Sequence, residues 1–253
     1  KRIKDKYVLL RLEKQMRPIM PNPYFKFKRF TIYHDKCAMK VGTDGVLLGA
    51  WTNVNTSKKI LDIGTGSGLV ALMLAQRCEG SITAIDIDSE AVEQAQININ
   101  ASNWKNRMEV IHTDLCKYSP QNQFDTIVSN PPYFIDSLKC DDIQRNTARH
   151  NDTLNSEQLF ENVSRMLCPE GEFSLILPFE QTESAISTGE KYGLHPTRHT
   201  RVITRPGLPP KRSLLAFKKH PKKYIPQDLV IELERHVYSE DYIALTKEFY
   251  LKM

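Results

Sequence analysis

No stretch of this 253-residue chain comes near the ~20 consecutive apolar residues that cross a bilayer. Lys1 to Lys14 is too rich in charge for the apolar core of a secretory signal. The expectation is a soluble, intracellular protein that works in the cytoplasm without a membrane. Cysteine is scarce and scattered: Cys37, Cys78, Cys116, Cys140 and Cys168 are odd in number and include no C-x-x-C pair. That argues against a disulfide framework or a thiolate zinc site and leaves five reduced thiols. His34, His112 and His150 lack metal-ligand spacing, so no metal is expected. Internal repeats and low-complexity tracts are missing too. Apolar residues make up 40%, with ten Phe, ten Tyr and two Trp, enough for an ordinary core. The length suits one α/β domain with additions, and a monomer is the simplest expectation.

Acidic residues are absent from 198–223, which holds nine Lys/Arg. Residues 1–29 hold ten Lys/Arg against two acids, while the rest of the chain carries 16 basic and 28 acidic residues. The formal charge of +5 therefore hides two basic segments on an acidic body. Such concentration suits a polyphosphate partner, although a solvated basic face would look the same. Met20 opens a more ordinary-looking start, so residues 1–21 read as an N-terminal extension and 22–253 as the domain.

From about residue 58 the chain alternates strand and helix. Lys59 to Ile63, Ser81 to Ile87, Met108 to His112, Phe124 to Ser129 and Glu172 to Leu177 read as buried strands. Arg198 to Thr204 and Ser213 to Lys218 read as a closing pair. Leu69 to Cys78, Leu154 to Leu167 and Gln181 to Tyr192 read as helices, and Ser89 as the N-cap of another. This order implies a doubly wound, mostly parallel sheet. Ligands of such sheets bind beyond the carboxyl ends of the strands, where strand order reverses.

The residues just after strands are the informative ones. Asp62-Ile63-Gly64-Thr65-Gly66-Ser67-Gly68 closes the first strand, and its glycines let the backbone turn sharply against a ligand. A dinucleotide fingerprint would place its third glycine at position 69, which is Leu69. The G-x-G-x-G order instead resembles the first motif of class I S-adenosylmethionine methyltransferases. That resemblance implies a seven-stranded α/β sheet and S-adenosylmethionine as cofactor. It places Asp62 near the cofactor's amino group, Asp86 on the ribose hydroxyls with Asp88 as neighbour, and Asp114 beside the adenine. Read alone, Asp114 could equally cap loop amides.

Ser129-Asn130-Pro131-Pro132-Tyr133 ends the fourth strand. An exocyclic amine on a heteroaromatic ring or a carbonyl has a delocalised lone pair. Two acceptors on its hydrogens draw the nitrogen towards a nucleophilic, pyramidal shape. Asn130 offers a side-chain oxygen and Pro131 a backbone carbonyl. Pro132 helps fix that carbonyl, and Tyr133 offers a face for a planar substrate. Methyl transfer is an in-line displacement, so orientation matters more than a strong base. This loop occurs in adenine N6, guanine N2 and glutamine N5 methyltransferases, and it does not choose among them.

The segment from His34 to Trp51 and the terminal Tyr238 to Leu251 narrow the resemblance. Together they look like the bacterial valine-tRNA adenine N6 methyltransferases, which modify the adenosine beside the anticodon. The resemblance spans roughly residues 22–253. It implies a tRNA partner and places Lys40, Val41 and Thr43 near the methionine end of the cofactor. Thr43 and Asp44 could instead cap the helix that begins near Gly45. Arg145 and Arg149, in the polar segment after the catalytic loop, are substrate-gripping candidates, or else solvated. Arg205, Lys211 and Arg212, in the loop Arg205-Pro206-Gly207-Leu208-Pro209-Pro210-Lys211-Arg212, are phosphate-contact candidates. The basic segment up to Arg29 is a second, smaller one. The rivals are guanine N2 methylation of ribosomal RNA and glutamine N5 methylation of a release factor. The basic segments favour RNA over a protein substrate.

Overall fold

A computed structural model describes residues 22–36, 40–132 and 154–253. Tyr24–Lys26 (β1) and Thr31–Tyr33 (β2) form a small antiparallel hairpin. Thr43–Trp51 (α1) follows, and then Lys59–Ile63 (β3), Leu69–Arg77 (α2), Ser81–Asp86 (β4), Ser89–Asn100 (α3) and Met108–His112 (β5) alternate. Phe124–Ser129 (β6), Ser156–Met166 (α4), Leu167–Pro178 (β7), Thr182–Lys191 (α5), His195–Ile203 (β8) and Arg212–Lys218 (β9) complete the pattern. Gln227–Val230 (β10), a small hairpin of Glu232–Glu234 (β11) and Val237–Tyr238 (β12), and Glu240–Thr246 (α6) end it.

The main sheet has eight strands in the order β10-β8-β9-β7-β6-β3-β4-β5. Only β9 runs against its neighbours. The seven expected strands are all present, and β10 is added outside β8. Its four residues, Gln-Asp-Leu-Val, bury little besides Leu229, and only the short run Leu229-Val230-Ile231 announces it. β7 also starts earlier than the apolar run from Glu172, at Leu167, where it pairs with Phe124.

The sheet is covered on both faces because its strands alternate sides at period two. Ile60, Ile176, Leu214 and Ala216 join one core with α1 and α2. Their neighbours Leu61, Leu175, Leu177, Leu215 and Phe217 join the other with α4 and α5. There Phe160 meets Phe173 and Phe217 edge-on, at centroid distances of 5.6 and 5.2 Å. Helix α1 lies close on α2, since a Cβ at Gly49 would stand 2.8 Å from Met73.

Local signals set the helix ends. Asn155 and Gln158 form a reciprocal capping box on α4. On α3 the cap is Asp88, whose carboxylate accepts from Glu90 N–H at 2.9 Å, and not Ser89, which is the first helical residue. The carboxylate reaches the orphan N–H two residues on. The first hairpin packs against the end of the chain. Phe27 stacks on Tyr250 at 5.9 Å, Lys28 N–H donates to Phe249 O at 2.8 Å, and Lys28 Nζ donates to Lys247 O at 2.6 Å. Among the described residues, no helix is long and apolar enough to cross a membrane.

Candidate active site

Strands β3, β4 and β6 end side by side: Ile63 pairs with Ile85 on one flank and with Ser129 on the other. The chain leaves β3 towards β4 and β5, then returns to β6 on the opposite side. The crevice between β3 and β6 is therefore the switch point at which such sheets bind ligands. Asp86 closes β4, and the glycine loop, Asp114 and Asn130 follow strands that end at this edge.

The loop after β3 turns through Gly64, Gly66 and Gly68, with φ of 69, 56 and 79°. These left-handed values strain any residue with a Cβ. Gly64 and Thr65 donate to Ile85 O at 2.9 and 3.0 Å, which pins the loop to β4. Cβ atoms built at Gly64 and Gly66 would meet nothing within 4 Å, so the loop presents bare backbone to open space. Gly68 instead backs onto Ala95 at 3.4 Å.

Asp62 is 1% exposed. Its Oδ2 accepts from Thr65 Oγ1 at 2.7 Å and Ala71 N–H at 3.1 Å, while Oδ1 has no hydrogen bond among the described residues. Burial pushes its carboxyl up from 3.8 to about 7, Thr65 and Ala71 pull it back, and Asp86 adds a small upward push. Asp86 accepts from Gly66 N–H at 2.8 Å on Oδ2 and from Asp88 N–H at 3.0 Å on Oδ1. Each oxygen keeps lone-pair capacity for a further donor. Asp114 uses Oδ1 to accept from Cys116 N–H at 2.9 Å, the amide-capping role. Its Oδ2 lies 3.9 Å from Lys117. Ile87, between Asp86 and Asp88 in sequence, is 59% exposed, and His112 Nε2 sits 2.9 Å from its carbonyl oxygen. Sequence reasoning passed over Ile87. In the sequence it reads as the last residue of the strand Ser81 to Ile87, whereas β4 ends at Asp86 and leaves Ile87 beyond the edge.

Ser129 is fully buried and donates its hydroxyl to Ile63 O at 2.9 Å, tying the catalytic loop to the glycine-loop strand. Asn130 is half-buried, and its side chain has no partner among the described residues. Pro131 is buried and Pro132 exposed. Tyr133, Arg145, Arg149 and His150 lie outside the described residues.

Lys40 is exposed, Val41 packs on the core beside α1, and Thr43 is the first helical residue. Gly42 is the N-cap and no side chain caps it, so neither Thr43 nor Asp44 fills that role. Asp44 instead accepts from Arg212 Nε at 2.8 Å. Arg205 lies 3.5 Å from Glu232, and Lys211 is exposed. Among the described residues, no group of three or more His, Cys, Asp or Glu is placed to hold a metal.

Residues 40–181 match the methyltransferase small domain. The chain is 58% identical over 234 residues to a tRNA1(Val) (adenine(37)-N6)-methyltransferase of Phocaeicola vulgatus, covering 92% of this chain and all of that protein. A protein of the same name from Flavobacterium psychrophilum is 45% identical, over 90% of this chain and all of its own length. Solved structures share the fold. A methyltransferase from Pyrococcus furiosus superposes with a TM-score of 0.55 at 23% identity, covering 85% of this chain and 98% of that one. A predicted O-methyltransferase from Agrobacterium tumefaciens gives 0.66 at 20%, covering 81% and 96%. Class I topology, a glycine loop and an Asn-Pro-Pro loop at one sheet edge, and this degree of identity agree: the chain belongs to the tRNA1(Val) (adenine(37)-N6)-methyltransferase family.

Proposed function

We propose that the protein methylates N6 of an adenine in tRNA, at position 37 of tRNA1(Val), as the names of its relatives state for them, with S-adenosylmethionine as methyl donor. The observation that carries this reading is the Ser129 to Ile63 hydrogen bond, which holds the Asn130 loop beside the glycine loop. Bound there, the cofactor supplies a methyl group activated by its sulfonium.

The residues at the edge suit that cofactor. Bare backbone at Gly64 and Gly66 leaves room for its amino-acid part, and a Cβ at either position would fill that room. Asp62 has one oxygen uncommitted beneath the loop, suited to an amino group. Asp86 accepts the ribose hydroxyls on its remaining lone pairs, Asp114 faces the adenine amino group, and Ile87 gives the adenine an apolar surface. Lys40, Val41 and Thr43 cover the methionine end.

Asn130 Oδ1 and the Pro131 carbonyl accept the two hydrogens of the substrate amine and orient its lone pair. Tyr133 stacks on the base. The proton leaves after transfer, so no strong base is required. Arg145, Arg149, Arg205, Lys211 and Arg212 contact RNA phosphates, with Arg212 also anchored on Asp44. Such a substrate places the enzyme in the cytoplasm.

The test is nucleoside mass spectrometry of tRNA1(Val) incubated with the protein and S-adenosylmethionine. N6-methyladenosine is expected, and it disappears when position 37 is guanosine. Methylated guanosine, or no methylated nucleoside at all, would remove the reading.

A further inference from the structure

Helix α3 carries two amide side chains that the reaction leaves unused. Gln94 and Asn98 lie one turn apart, each 1% exposed. Asn98 uses its amide in both directions. Oδ1 accepts from Tyr33 N–H at 2.9 Å, while Nδ2 donates to Tyr33 O at 2.8 Å and to Ser67 O at 2.8 Å. Towards β2 it stands in for a neighbouring strand. Towards the glycine loop it holds the carbonyl between Gly66 and Gly68. One turn earlier, Gln94 Oε1 accepts from Lys36 N–H at 3.0 Å. Ala95, between them, is the wall against which Gly68 rests.

An amide supplies the two donors and one acceptor used here, whereas a carboxylate has no N–H, a hydroxyl has one donor and an alkyl group has neither. Removing it leaves the buried Ser67 carbonyl and the part-buried N–H and carbonyl of Tyr33 without this partner. Asp86 holds the same loop from the other side, at Gly66 N–H. The loop is thus clamped between β4 and α3, and the α3 clamp also grips the segment that leads towards Lys40.

We propose that Asn98, assisted by Gln94, is a positioning residue for the cofactor. It registers the Tyr33–Lys36 segment, and with it the approach to Lys40, Val41 and Thr43, against the Ser67 end of the glycine loop. Both walls of the cofactor site then share one anchor. This rests on the glycine loop being the S-adenosylmethionine site. Asn98 acts through main-chain groups and touches no reacting atom.

The test measures steady-state methylation of tRNA1(Val) at varied S-adenosylmethionine, calorimetric affinity for S-adenosylhomocysteine, and melting temperature, for wild type, Asn98→Ala and Gln94→Ala. Asn98→Ala is expected to raise the cofactor KM and the product Kd about tenfold and Gln94→Ala about threefold, as lost hydrogen bonds to a preformed site would. The kcat at saturating cofactor and the KM for tRNA stay within about twofold. A lower melting temperature with unchanged cofactor KM and Kd would reduce Asn98 to a core contact and overturn the inference. If Asn98→Ala does not fold, Gln94→Ala decides by the same criterion. A wild type that fails to bind S-adenosylhomocysteine removes the cofactor assignment, and the anchor with it. Normal wild-type binding with unmoved variants removes the anchor alone.

Discussion

Asp62 holds the most perturbed carboxylate of the site. Its folded value, about 7, stands above the ordinary 3.8, so the fold favours the protonated form. Stability from this group is intact below its unfolded value and is lost as pH rises through about 7, on the order of 4 kcal/mol in full. Asp62→Asn keeps an acceptor for Thr65 and Ala71 without the charge. The variant should melt above wild type at pH 8, with the gap closing towards pH 4. An equal gap at both ends would mean that Asp62 ionisation carries no cost. The same variant should lose cofactor affinity, since an ionised Asp62 is what an amino group needs.

Asn130 should show the opposite separation. On the proposed mechanism, Asn130→Ala removes an acceptor from the substrate amine and leaves the glycine loop intact. We expect kcat to fall by roughly a hundredfold, the scale of one lost preorganised hydrogen bond, with S-adenosylhomocysteine affinity within about twofold. Wild-type turnover in this variant would end the two-acceptor mechanism. The place of Asn130 at a strand end was legible in the sequence because its neighbours are prolines. The partner of Arg212 was not, because Asp44 lies 168 positions away and only the fold brings the two together.

At the scale of elements, the glycine loop and the α5–β8 turn make a matched pair. Gly66 and Gly193 have φ of 56 and 72°, and a Cβ at either would meet nothing within 4 Å. Alanine at each should cost about 1–2 kcal/mol of stability from the left-handed backbone alone. Only Gly66→Ala should also weaken cofactor binding, by more than about tenfold, because its Cβ enters the site. Equal cofactor affinity in the two variants, read by calorimetry, would place the ligand elsewhere.

The strands lining the site could be read directly from the chain. β3, β5 and β6 have the expected bounds because each is a short apolar run closed by glycine or proline or by a polar turn. The elements that escaped lack that contrast. β1 and β2 are three residues each, and β10 sits on an edge where half its side chains meet water. The α3 cap moved by one residue because Asp88 and Ser89 are both good caps and sequence does not rank them.

The whole molecule redistributes the charge that composition suggests. Of the cations in 198–223, Arg198 and Lys218 lie within 4.0 Å of Glu172, Arg201 of Asp228, Arg205 of Glu232, and Arg212 of Asp44. Acids from distant elements thus offset much of the run. Lys26, Lys28 and Arg29 line a cavity of about 380 Å³ beside the first hairpin and have no carboxylate within 4.0 Å among the described residues. The order of importance read from the sequence should therefore invert. Neutralising Lys26, Lys28 and Arg29 together should flatten the salt dependence of tRNA affinity by about 0.7–0.9 per lost phosphate contact. Neutralising Arg205, Lys211 and Arg212 should flatten it less, and should lower the melting temperature through lost ion pairs. Binding isotherms across a salt series decide, and the reverse ranking would restore the C-terminal loop as the principal contact.

The contact between the first hairpin and the end of the chain sets a clock on synthesis. Lys28 and Lys247 are 219 positions apart. At the usual ~5–20 residues per second, the ribosome takes roughly 10–45 s between them. For most of that interval Phe25 and Phe27 are without Tyr250, while β3 to β9 are made and can already pair. The sheet with its glycine loop thus has time to form, and β2 to seat on α3 through Asn98, before Phe27 gains its last partner. The stretch around Lys247 thus closes over the first of the described strands long after the sheet beside it has been made.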